Sequence, residues 1–157
     1  KENNSEKENN SEKENNSEKE NNSEKENNSE KENNSEKENN QISDLIDTKA
    51  IQMLKSLVSA KNPDFFTKQV HSFLNHSQKE MLNIKESLNE KNFETLRDVA
   101  HRFKTSCGII GAKTMTNMCQ ELEEKALESD FEASSIIMEK LENDLTQVLA
   151  YLATEIA

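Results

Sequence analysis

From Phe93 the apolar residues of this chain step through Leu96, Ala100, Phe103, Cys107 and Ile110. Spacing of threes and fours is the mark of one buried stripe on an amphipathic helix. The same period runs through most of the chain after Gln41, and the whole sequence holds only two glycines and one proline to interrupt it. No segment alternates apolar and polar residues as a half-buried strand does. The class this pattern admits is all-α. Ile51, Leu54 and Val58 mark a short first helix near Asp47 to Ser59. Asn62-Pro63-Asp64 reads as a helix start, with an Asn cap, Pro at the first helical position and then an acid. The helix that follows carries Phe66, Val70, Phe73, Ser77, Met81, Ile84 and Leu88. Asn92 caps the next helix, and Gly111 ends it or turns the chain. Met115, Met118, Leu122 and Ala126 line a further helix, and Asp130 starts a last one with Ile137, Leu141, Leu145, Val148, Leu152 and Ile156. Four long amphipathic helices on short loops predict an antiparallel up-down-up-down four-helix bundle, with the short N-terminal helix capping one end.

Residues 1–40 are of another kind. They are six full units of Lys-Glu-Asn-Asn-Ser-Glu followed by Lys-Glu-Asn-Asn, with no hydrophobic residue. Such a segment has no burial to offset the entropy of ordering. Within each unit the two Glu are four apart, a like-charge pair that disfavours helix, and no Glu has a Lys four residues on. We expect a disordered low-complexity linker with a root-mean-square span of roughly 35 Å, and a domain over residues 41–157. The chain opens in mid-repeat on Lys1, which fits a piece of a longer polypeptide with the repeat between domains.

Charge narrows the function classes. The net charge is −11; each repeat unit carries one Lys and two Glu, so the six units hold −6 and residues 41–157 the remaining −5. An acidic balance argues against nucleic acid, whose phosphates call for a basic patch. No segment reads as a membrane span or a signal peptide, so no membrane contact is expected. The two Cys match no zinc or redox spacing and are expected as reduced thiols in a cytoplasmic domain.

The chemistry concentrates in Ala100 to Ala112. His101 lies one position, about 100° of helix rotation, from the buried Ala100 and so falls at the edge of the stripe. Lys104 is three residues on, a neighbour on the same face. A neutral imidazole, half sheltered by the bundle and next to a fixed cation, can attack phosphorus through a ring nitrogen and hold a phosphoryl group. Gly108 is one turn beyond Lys104. Glycine within a helix costs about 1 kcal/mol relative to Ala, so it either admits close approach by another molecule or marks fraying before Gly111. Ser106 is placed to bond back to its own helix. Arg102 reads as a surface residue or a partner contact, with Arg97 a weaker candidate for the same face. His71 and His76, with no carboxylate or cysteine at ligand spacing, read as having no functional role. Met115 and Met118 are core. Cys107 and Cys119 fill the core at different heights, which argues against a disulfide.

Ala-His-x-x-Lys-x-Ser at residues 100–106, the Gly-Ala at 111–112, then Cys119 and the pair Leu122-Glu123 resemble the signature of histidine phosphotransfer (HPt) domains. The resemblance spans roughly Asp47 to Ile156 and departs at one point: the family's glycine four residues after the histidine is Thr105 here. It implies that His101 is the phosphoacceptor, taking a phosphoryl group from a receiver-domain phosphoaspartate and passing it to another receiver. It implies that Lys104 offsets phosphoryl charge and that Glu123, on the following helix with Gln120, orients the imidazole ring. Thr105 is expected to narrow partner choice.

The implied partners are response-regulator receiver domains, with an attached histidine kinase as one setting. The docking face would comprise exposed parts of the Asn62 helix and the His101 helix. No Gly-rich phosphate cradle is present, so the domain has no ATP site of its own and no bound cofactor is expected. No metal site is expected either; the Mg²⁺ that assists transfer should sit on the receiver. A monomer is expected. Two other readings stand beside this one: the phosphoacceptor domain of a chemotaxis-type kinase, and a non-phosphorylated helical adaptor that docks receivers.

Overall fold

The computed structural model describes residues 41–157; the repeat over residues 1–40, read above as a disordered linker, lies outside the described residues. Every regular element described is helical: α1 (Thr48–Ser56), α2 (Phe65–Asn89), α3 (Phe93–Ile110), α4 (Lys113–Leu127) and α5 (Phe131–Glu155). A further helical turn over residues 41–45 precedes α1.

Local chemistry sets most of these boundaries. Asp47 caps α1 by accepting from the Lys49 backbone N–H at 3.0 Å. Asn92 caps α3 through the Thr95 N–H at 3.2 Å, and Asp130 caps α5 through the Ala133 N–H at 3.0 Å. In each case the side-chain oxygen satisfies a donor that has no partner inside the helix. The start of α2 differs from the sequence reading. Asn62 and Pro63 lie in the preceding turns, and Asp64 occupies the cap position without a side-chain hydrogen bond. A backbone bridge between Ser59 and Asn62 holds Asn62 in that turn, and the helix starts two residues later than read, at Phe65.

Gly111 ends α3 in the left-handed region at φ 79°. There the Ala112 N–H donates to the Cys107 carbonyl at 2.9 Å, and the Gly111 carbonyl accepts from Asp47 N–H at 2.8 Å. The turn between α3 and α4 is thereby tied to the start of α1.

Consecutive long helices pack together, α2 on α3, α3 on α4 and α4 on α5, and α2 also meets α5; α1 touches α2 and α3. Leu96, Ala100, Phe103 and Cys107 of α3 are sealed from solvent, with Met115 and Leu122 of α4 and Leu141 and Leu152 of α5. Phe73 of α2 and Phe103 of α3 stack with ring centroids 6.3 Å apart. Leu45 and Ile46, ahead of α1, join this core. Val58, expected in it, lies on the surface because the chain leaves α1 before reaching it.

Cys107 and Cys119 also require a correction. They do not sit at different heights but meet across the α3–α4 interface as free, buried thiols. The hydrogen bond to Cys119, with burial added, holds the Cys107 thiol far above its ordinary range. It is an inert, protonated group. Among the described residues no helix is long and apolar enough to cross a membrane.

Candidate functional site

The rotation of α3 decides what surrounds His101. Ala100, Phe103 and Cys107 point into the core, which leaves His101 and Thr105 on the solvent arc, Lys104 on the side of α4, and Arg102 and Ser106 on the side of α2. His101 is more open than its position at the edge of the stripe implied: its side chain is 66% exposed. Its ring meets α4 through Glu123, and most of the side chain stays open to solvent.

On the α4 side, His101 Nδ1 lies 3.0 Å from Glu123 Oε1. The same oxygen is 2.9 Å from Lys104 Nζ, and that ammonium also donates to Gln120 Oε1 at 2.8 Å. Gln120 Nε2 in turn donates to Glu124 at 3.1 Å. One carboxylate oxygen thus joins the imidazole to the lysine.

A carboxylate only accepts hydrogen bonds, so Nδ1 must carry the proton in this contact. In the neutral ring the lone pair then falls on Nε2, the nitrogen turned away from α4. The arrangement presents a nucleophilic nitrogen to solvent, backs it with a carboxylate able to stabilise an imidazolium, and keeps an ammonium within one side chain's reach. It can form a bond from nitrogen to an electrophilic phosphorus and balance the charge on both sides of that bond.

Thr105 and Ser106 both turn their hydroxyls back to the helix, to the His101 carbonyl at 3.4 Å and the Arg102 carbonyl at 3.5 Å. Neither hydroxyl is spent on the imidazole. A Cβ added at Gly108 would meet nothing within 4 Å, so this glycine answers no packing demand inside the domain. Arg97 makes no side-chain contact that joins it to these residues.

On the α2 side the structure contains a group that sequence reasoning missed. Glu80 Oε2 lies 3.3 Å from Arg102 Nη2, and Glu80 Oε1 is 3.7 Å from His76 Nε2. His76 was expected to have no carboxylate nearby, yet Glu80 is one helical turn on. The signal was present: Ser77, Glu80 and Ile84 keep the spacing of the buried stripe, so a carboxylate stood at a core-facing position. His71 makes no contact of this kind with the site. Among the described residues, no group of three or more His, Cys, Asp or Glu is placed to hold a metal ion.

Comparisons with known proteins agree in kind. Residues 70–151 match the family model described as Hpt domain. The crystal structure of histidine-containing phosphotransfer protein B from Pseudomonas aeruginosa PAO1 is similar, with a TM-score of 0.67 and 21% identity over 71% of this chain and 94% of that one. An X-ray structure from rice, described as a histidine-containing phosphotransfer protein, has a TM-score of 0.65 and 19% identity over 71% of this chain and 79% of its own. No curated protein matches the chain.

Proposed function

The chain belongs to the Hpt domain family and is a phosphorelay intermediate of two-component signalling, and from that premise we propose that His101 is the residue that carries the phosphoryl group. The observation that carries the assignment is the shared oxygen of Glu123, which accepts from His101 Nδ1 and Lys104 Nζ together. Nε2 of His101 attacks the phosphorus of a receiver phosphoaspartate. The N–P bond forms as the P–O bond to the aspartate breaks, and the aspartate leaves as its carboxylate. The ring becomes cationic, and Glu123 stabilises it through the Nδ1 proton. Lys104, released from Glu123 and Gln120, offsets the phosphoryl charge. Transfer to a second receiver reverses these steps. The Mg²⁺ of the reaction belongs to the receiver's carboxylates, and the domain binds no cofactor of its own.

The domain is residues 41–157, and we read it as a monomeric, cytoplasmic module. We also read its long helices as an antiparallel up-down-up-down four-helix bundle with α1 capping one end. Short connections support this, as does the order of the pairs His101–Glu123 and Lys104–Gln120, in which residue numbers rise on α3 as they fall on α4. Thr105, at the centre of the solvent arc, places a methyl group where an approaching receiver must pass, and this narrows partner choice.

The test is transfer of label from receiver domains phosphorylated with acetyl phosphate, with His101→Gln beside the parent. Acid-labile, base-stable label on the parent and none on the variant is expected. Label retained by the variant would overturn the assignment of His101.

A further inference from the structure

Glu80 is the one charged residue that lies fully buried among the described residues, its side chain 3% exposed. Burying a carboxylate is costly unless cations answer it. Here the cation that answers it stands outside. Arg102 is 57% exposed and reaches both carboxylate oxygens, at 3.4 and 3.3 Å, while His76, on α2 with Glu80, lies 3.7 Å from Oε1. The carboxylate is thus an anchor set into the α2–α3 seam, with a guanidinium laid over it.

Arg102 directly follows His101. Ser106 and His76, one turn from Arg102 and Glu80, line a shallow depression with Phe73 and the exposed Ile109. The two flanks of His101 therefore carry different devices. On the α4 side a carboxylate serves the imidazole. On the α2 side a buried carboxylate serves an arginine that makes no contact with the imidazole.

We propose that Glu80 is a positioning residue for partner docking, holding the Arg102 guanidinium ready to receive an acidic group of the incoming receiver. This rests on the receiver-transfer reading above, in which the partner brings a cluster of carboxylates to His101. A free arginine side chain loses much rotamer entropy on engaging a partner; one already held loses less. Its planar fork keeps further N–H donors for a second carboxylate while Nη2 engages Glu80. Glu80 touches neither the imidazole nor the phosphoryl group, so its effect falls on association and not on the chemical step.

The experiment is single-turnover transfer from a receiver domain phosphorylated with acetyl phosphate, chosen as the fastest donor of a panel, with receiver concentration varied. For Glu80→Gln, the concentration giving half-maximal rate should rise about three- to tenfold, with the maximal rate unchanged. The double variant Glu80→Gln/Arg102→Gln removes both charges together and so leaves no unpaired buried charge. It should show a rise no larger than that of Arg102→Gln alone, because residues acting as one unit are not additive. An unchanged half-maximal concentration in Glu80→Gln, a fall in maximal rate only, or strict additivity would overturn the inference while leaving the transfer reading intact. Absence of transfer to the parent domain would overturn both.

Discussion

At His101 the quantity on which the proposed transfer turns is which ring nitrogen holds the proton, and Nδ1 faces a single oxygen of Glu123. Glu123→Ala should leave the imidazole as a mixture of tautomers and release Lys104 from one of its two partners. Transfer should slow by about tenfold or more, the scale on which partners that fix a ring's orientation act. Long-range ¹H–¹⁵N correlation of the imidazole reads the tautomer directly. A ring still protonated at Nδ1 in the variant would mean that Glu123 does not set it.

The motif made His101 and Lys104 legible in sequence because three residues on a helix are neighbours whatever the tertiary fold. Glu80 was not legible as a partner of Arg102, since 22 residues separate them and only packing of α2 on α3 joins them. The meeting of Cys107 with Cys119 was hidden for the same reason.

At the C-terminal end of α3 the two glycines, Gly108 in the last turn and Gly111 at the cap, look alike in sequence and behave oppositely in the fold. Gly111 has φ 79°, and a Cβ there would lie 2.9 Å from Ala50 Cβ and 3.1 Å from the Asp47 carbonyl oxygen. Gly111→Ala should cost at least about 1–2 kcal/mol for left-handed backbone alone, seen as a lower midpoint in urea. Gly108→Ala meets open space and should stabilise the helix by up to about 1 kcal/mol, while slowing transfer if a receiver closes on that turn. Gly108→Ala that speeds or spares transfer would leave the glycine without a role at the docking face.

Helix positions themselves were readable from the period of the apolar stripe, from Asn92 as a cap and from Asp130 as a helix start. The start of α2 was not. Asn62-Pro63-Asp64 carries every local mark of a helix start, and the backbone bridge from Ser59 to Asn62 overrides them.

Across the whole domain, α1 and α5 are joined at the surface by Lys55 and Glu155. The Lys55 ammonium holds the Glu155 carboxyl below the ordinary glutamate range, against a smaller opposing effect of burial. A lowered value in the folded state means stability that is present above the unfolded glutamate value and is lost as pH falls through the folded one. Both side chains are partly exposed, so the pair contributes less than about 1 kcal/mol. Glu155→Gln should lower the melting temperature slightly at neutral pH, and the gap should close in acid and shrink in high salt. A gap that persists once carboxylates are protonated would point to lost packing instead.

The open side of His101 has a cost in time. In the transfer proposed for His101, whatever lets two bulky partners reach the ring by turns also lets water reach it, for no lid among the described residues shuts over the nitrogen. A phosphoryl group parked there would be perishable cargo. Fidelity of the relay then depends on arrival: a receiver docking faster than hydrolysis takes the signal onward, and one that comes late finds it spent.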